Sequence, residues 1–237
     1  MSANKKAKTD AGTRLGTQIR GEMAEAFDKR GQGSADLALH YSGKIGKDVV
    51  LAGLLEYFHF LYSEFDPDVV EANYAPLTAL SDLAGKAYAK VIQVVVKLRD
   101  GSVVWRRLVE TDPGDTPLIT DLHAAIGKGP LVEVTRLEVW TMERLTTNPM
   151  RLRNSLRALG WIAGARDWPL GEYKSAAFAL INKRRSVTFE DVLALGEGAK
   201  RALFGAAVLE LTSNGAVRSD LNEMPLTATT LFHRIGG

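Results

Sequence analysis

The stretch VIQVVVKLRDGSVVWRRLV, residues 91–109, decides how this chain is read. Two β-branched runs, Val91–Leu98 and Val103–Val109, flank Asp100-Gly101. That pattern predicts a β-hairpin closed by a primed Asp-Gly turn. Downstream, a loop with Pro113, Gly114 and Pro117 leads to a short predicted helix over Leu118–Ile126. Past Gly127–Pro130, Leu131–Trp140 reads as a third strand through Val132, Val134 and Val139. The middle of the chain is therefore β-β-α-β, a small sheet that a helix can cover, and not a doubly wound domain.

Working upstream, the period becomes helical. Thr17–Arg30 places Ile19, Met23, Ala26 and Phe27 on one face before Gly31, Gly33 and Ser34 break it. A helix is expected over Ala35–Ser42. A longer one is expected from Lys47 to Phe65, with Leu51, Leu54, Leu55, Phe58 and Leu61 at helical spacing. Asp66-Pro67-Asp68 restarts the chain, and Ala75–Ala87 is expected to be helical. Residues 1–16, MSANKKAKTDAGTRLG, are polar and basic and read as a flexible arm.

Downstream of the sheet, Asn148-Pro149 is an N-cap followed by proline at the first helical position. The helix it opens runs to about Trp161 on a stripe of Leu152, Leu156 and Leu159. A further helix carries Leu170, Tyr173, Ala177, Leu180 and Ile181 and ends in Lys183-Arg184-Arg185. Ser186–Val187 is extended, and Thr188 with Asp191 is a capping box opening a brief helix. Gly196 and Gly198 make a turn before a helix over Ala199–Ser213. Strands are expected over Ala216–Leu221 and Leu226–His233. Helix, short strand, helix, turn, helix, hairpin is the order of a winged helix-turn-helix, with Ala199–Ser213 in the recognition position. The expected fold class is α+β, mostly helical. It divides into the arm at 1–16, an α+β domain at 17–147 and a basic helical domain at 148–237.

The charge is distributed unevenly. The net charge is +2, yet residues 149–201 hold ten Lys and Arg against five Asp and Glu. Residues 21–147 run the other way, thirteen against nineteen. Such asymmetry points to an anionic partner, nucleic acid first, held by one part of the molecule. The residues expected to hold phosphates are Arg151, Arg153, Arg157, Arg166, Lys183, Arg184, Arg185, Lys200 and Arg201. Arginine interspersed with Trp161, Trp168 and Tyr173 is the mixture that grips a phosphate backbone and stacks on bases. Lys200 and Arg201 stand in a first helical turn, where cations oppose the helix dipole unless an anion is near.

Motifs for catalysis are missing. Gly46-Lys47 is followed by Asp48 and Gly127-Lys128 by Gly129, so neither is a Walker loop. There is no Gly-x-Ser-x-Gly and no His-Glu-x-x-His. His40, His59, His123 and His233 lie far apart, and His59 reads as a hydrogen-bonded core residue. Asp66, Asp68 and Glu71, like Asp112 and Asp115, read as turn formers and helix-start carboxylates. Glu133 and Arg136 follow an acidic loop, but position 135 is Thr where a metal nuclease needs lysine.

The chain has no cysteine, which excludes disulfides and thiolate metal sites and fits a cytoplasmic or virion-interior setting. Residues 1–10 lack the apolar run of a signal peptide, and Val49–Phe65 is interrupted by Glu56, His59 and Glu64, so no membrane span is expected. The expectation is a non-enzymatic protein without cofactor or metal, binding DNA or RNA as one subunit of a nucleoprotein complex. The rival is a self-assembling coat, nucleocapsid or scaffold subunit whose arm contacts neighbours.

Overall fold

The computed structural model describes residues 36–75, 91–112, 114 and 116–235. The basic arm and the helix expected over 17–30 lie outside them, as does the helix expected over 75–87 apart from Ala75. The described residues form a mixed α+β fold with three sheets.

The first sheet overturns an expectation. Leu37–Ser42 (β1) and Lys47–Ala52 (β2) are antiparallel strands, where helical periodicity had suggested helix. Gly46 takes φ +65° and its N–H donates to Ser42 O at 2.9 Å, closing the connection. The helix (α1) runs only over Gly53–Glu64, because Gly53 at φ +78° ends the strand. Val49 and Val50 belong to the strand, and the leucine spacing is helical only beyond Gly53.

The central sheet has the order β3-β4-β5-β6, with Val69–Asn73 (β3), Val94–Leu98 (β4), Val103–Val109 (β5) and Val134–Thr141 (β6). β3 was not expected from the sequence. The β4–β5 hairpin is present, but its turn is not of the primed type. Gly101 alone is left-handed, at φ +87°; Leu98 donates to Ser102 O at 2.9 Å and Gly101 to Leu98 O at 3.0 Å. A primed turn would need Asp100 left-handed as well, and Arg185 is the sole non-glycine with positive φ among the described residues.

Pro117–Ala125 (α2) crosses over so that β6 lies parallel to β5. Leu131, expected to begin a strand, closes a 3-10 turn instead. The alternation of the strands sorts two cores. Trp105 and Leu137 pack with Ile119 and Leu122 of α2. Val94, Val96, Val104, Leu108 and Trp140 pack with Leu55, Phe58 and Tyr62 of α1. The sheet is thus covered on both faces.

A short helix, Met142–Thr146 (α3), precedes Pro149–Gly164 (α4). The Asn148 side chain accepts from Arg151 N at 2.9 Å, the expected cap. α4 lies between two bodies. Its Leu152 and Leu159 pack with Phe60 and Leu61 of α1, while Ala158 and Ile162 belong to the core of the following segment. That segment comprises Gly171–Arg184 (α5), Ser186–Thr188 (β7), Phe189–Leu193 (α6), Lys200–Ser213 (α7), Val217–Ser219 (β8) and Leu231–Arg234 (β9). The Thr188–Asp191 capping box is formed, at 2.9 and 3.1 Å. β9 pairs antiparallel with both β7 and β8, giving the sheet order β7-β9-β8. β8 and β9 are shorter than expected.

α7 is the axis of this segment and is buried almost all round. Gly205 makes that possible, since a Cβ there would stand 2.7 Å from the Trp161 ring of α4. No described helix is long and apolar enough to cross a membrane.

Candidate nucleic-acid interface

The nine cations singled out in the sequence do not share one environment. Arg153 and Arg157 stand one turn apart on α4, both exposed. Lys183 is exposed in the last turn of α5, where a cation complements the helix dipole. Arg185 follows as its C-cap at φ 67°, with its side chain in solvent. Lys200 is exposed at the start of α7. None of these five forms an ion pair among the described residues.

Arg157 Nη1 donates to Leu226 O at 3.5 Å, and the other four cations are engaged within the molecule. Arg184 pairs with Asp191 at 3.1 Å and Arg201 with Glu190 at 2.7 Å, so both reach onto α6 from opposite sides in sequence. Hydrogen bonds from the Thr188 backbone and hydroxyl hold the Asp191 pKa below the usual carboxylate range, and Arg184 adds to the effect. These two pairs lie at the surface and leave the guanidinium groups accessible. Arg166 is half-buried against Asp48 at 3.3 Å. Arg151 is half-buried with its guanidinium 3.5 Å from the centroid of Tyr62, and its Nη2 donates to Tyr62 O at 3.0 Å. Arg166 and Arg151 dock α4 onto the N-terminal elements.

Two features limit what the C-terminal segment can present. On α7, Leu203 through Leu209 are buried, so beyond Arg201 the helix offers no continuous face to a groove. The connection 220–230 between β8 and β9 is tied to α4. Asn154, 1% exposed, donates to Leu221 O and Met224 O, both at 2.7 Å, and accepts from Leu226 N at 2.9 Å. Asn148 Nδ2 adds a bond to Asn222 O at 2.9 Å. A cavity of about 420 Å³ borders this connection, lined by Arg157, Trp161 and Phe189. Trp168 is 61% exposed in its loop, whereas Trp161 and Tyr173 pack against the core.

The central sheet carries a polar group of its own. Arg106, on the β5 face under α1, donates through Nε to Glu138 Oε2 at 3.0 Å and through Nη1 to His59 Nε2 at 3.1 Å. Because arginine only donates, Nε2 accepts and the His59 proton sits on Nδ1, which donates to Tyr74 Oη at 2.9 Å. Burial, then the charges of Arg106 and Arg144, hold the His59 pKa well below its ordinary value, so the ring is neutral. Burial opposes ionisation of Glu138. Bonds from Trp140 and Arg136 and the charge of Arg106 outweigh it and leave its pKa low. Glu133 lies in the turn before β6, and Arg136 is engaged with Glu138 at 2.7 Å. Among the described residues no three His, Asp or Glu side chains gather as metal ligands.

Sequence reasoning missed Arg218, an exposed cation on β8, because it lies outside the charge-dense window 149–201. It also missed the docking of 220–230, which depends on one buried amide. No known protein family and no curated protein sequence matches the chain.

Proposed function

We propose that this chain is a non-enzymatic nucleic-acid-binding protein that grips the phosphate backbone through residues 148–237, as one subunit of a larger nucleoprotein assembly inside a cell or virion. The observation that carries the reading is the segment α5–β7–α6–α7–β8–β9. Its element order and its β7-β9-β8 sheet support a winged-helix reading, with Lys183, Arg185 and Lys200 exposed at the ends of its helices. Arg153 and Arg157 on α4 extend the basic surface. The buried flank of α7 and the docked connection favour contact with phosphates over reading of bases along the helix.

The test is fluorescence anisotropy with generic duplex and single-stranded DNA and RNA over a range of salt. It is preceded by the 260/280 nm absorbance ratio of the purified protein before and after nuclease treatment. Affinity should fall linearly on a log–log plot. Reversing Arg153, Arg157, Lys183 and Lys200 to Glu should flatten the slope by roughly 0.7 to 0.9 for each phosphate no longer neutralised. An unchanged slope in the folded variant would remove the reading.

A self-assembling subunit is the second reading. It is supported by the two outer strands of the central sheet, β3 and β6: Val70 is exposed on β3 and Val132 in the turn before β6. Concentration-dependent assembly without nucleic acid would favour it.

A further inference from the structure

We infer that the cleft between the α1–β3 connection and the C-terminal sheet binds a small organic phosphate. The cavity there has a volume of about 330 Å³ and is lined by two guanidinium groups, Arg151 from α4 and Arg218 from β8. No carboxylate lines it among the described residues. Neither arginine makes an ion pair among those residues. Arg151 spends Nη2 on Tyr62 O, while its Nε is buried with no acceptor. A half-buried cation without a counter-charge is unfavourable, and an anion in the cleft relieves it.

The neutral donors on the walls narrow the chemistry. Buried Ser155 and exposed Asn222 line the same cavity as neutral polar residues. The Arg218 fork, the Arg151 Nη1 that Tyr62 leaves over, Ser155 and Asn222 are four separate donor residues, more than the two oxygens of one carboxylate face at once. They suit the three terminal oxygens of a phosphate group. The rest of the wall includes Phe65, Leu221 and Ile235, an apolar surface that a bare inorganic phosphate would leave uncovered. The ligand is therefore a phosphate joined to an organic body of nucleotide size. The volume is at the lower end of the roughly 300–1,000 Å³ range of small-molecule sites.

Two further cavities lack this combination. In one Arg166 is already neutralised by Asp48, and in the other Arg157 stands alone among apolar residues and Thr227. The site does not require the nucleic-acid reading: the phosphate it holds belongs either to a free nucleotide or to the end of a strand, and a 5′-phosphorylated oligonucleotide tells the two apart.

Thermal melting and titration calorimetry of the full chain test it with a nucleoside 5′-monophosphate, the unphosphorylated nucleoside, inorganic phosphate and a dicarboxylate. Millimolar nucleoside monophosphate should raise the melting temperature by about 2–4 °C. The nucleoside should not, and phosphate and dicarboxylate should bind more weakly. Arg218→Ala should weaken binding roughly fivefold or more, as expected when a charge-assisted hydrogen bond is removed, and leave the apo melting temperature unchanged. Lys128→Glu, which reverses an exposed cation outside the cavity, should bind the nucleotide as the parent does. A 5′-phosphorylated oligonucleotide that gains Arg218-dependent affinity over its 5′-hydroxyl form would identify a strand end as the source. Gain by the mononucleotide alone would identify a free ligand. Absence of any shift, equal affinity for the nucleoside or the dicarboxylate, or undiminished affinity in Arg218→Ala would overturn the proposal.

Discussion

Lys44 Nζ donates to the backbone carbonyl of Ser213 at 2.9 Å, joining the β1–β2 connection to the C-terminal end of α7. The same ammonium donates to Asp66 O at 3.0 Å and Val69 O at 2.5 Å. Burial pushes its pKa down to about 8, against the attraction of Glu64 and Asp66. Beside it, Arg99 at the tip of the central hairpin donates to Pro67 O and, at 2.7 Å, to Asn214 O. Glu64 accepts from Ser42 Oγ at 2.6 Å and Gly43 N at 3.0 Å. The end of α7 is thus the point where segments distant in sequence are fastened together.

Lys44→Met should test that fastening. It keeps the aliphatic stem but leaves three carbonyls without their donor, at a cost of about 2–4 kcal/mol. Chemical denaturation should show a lower midpoint. A variant as stable as the parent would mean that water replaces the ammonium at no cost.

His59 supplies a pH dependence. Its folded pKa lies well below the unfolded value, so between the two the unfolded chain binds more protons. Its contribution to stability is full above about pH 6.5 and is lost as pH falls, by up to about 1.4 kcal/mol per pH unit until the folded pKa is reached. Glu56 acts in the opposite sense. Burial raises its pKa to about 7, so its protonation favours the fold as pH falls from 7 toward 4.5. The His59 effect is therefore read as a difference: parent minus His59→Gln, melted between pH 7.5 and 5, should decline with falling pH.

Asn154 holds the 220–230 connection by three bonds inside the protein. Asn154→Ala should cost about 3 kcal/mol, since a buried donor or acceptor left without a partner costs about 1–3 kcal/mol. Asn154→Asp should cost more, because a carboxylate would face the carbonyls of Leu221 and Met224. Hydrogen exchange should show reduced protection concentrated at 221–226.

Along α7, packing and binding should separate. Gly205→Ala places a methyl group against Trp161 and should destabilise the chain by about 1–3 kcal/mol. The double change Lys200→Ala, Arg201→Ala should alter stability by less than about 0.5 kcal/mol, since it removes one exposed lysine and one surface ion pair. It should weaken nucleic-acid binding at low salt. Melting curves and anisotropy on the two variants give the comparison.

Much of the fold was legible where the decisive interactions are local. The Val94–Val109 hairpin, the Asn148 cap and the Thr188–Asp191 capping box each depend on residues within a few positions of one another. Leu37–Ser42 misled because LALHYS has no β-branched member, and its strand character comes from pairing with β2. β3 was missed because Val69–Asn73 is fixed by β4, which follows only after residues 76–90.

The residues alone determined which elements could form, where their caps fall, and that positive charge gathers in 149–201. The tertiary structure decided which of those charges face outward. Asp48 lies far from Arg166 in sequence and Tyr62 far from Arg151, yet each is its neighbour in space. Helical periodicity puts Leu203, Phe204, Ala207, Val208 and Leu211 on one side of Ala199–Ser213. The approach of α4 at Gly205 buried most of the remaining face as well. The physical reason is range: capping and periodicity act within about one helical turn, whereas ion pairing and burial depend on where the whole chain brings its segments together.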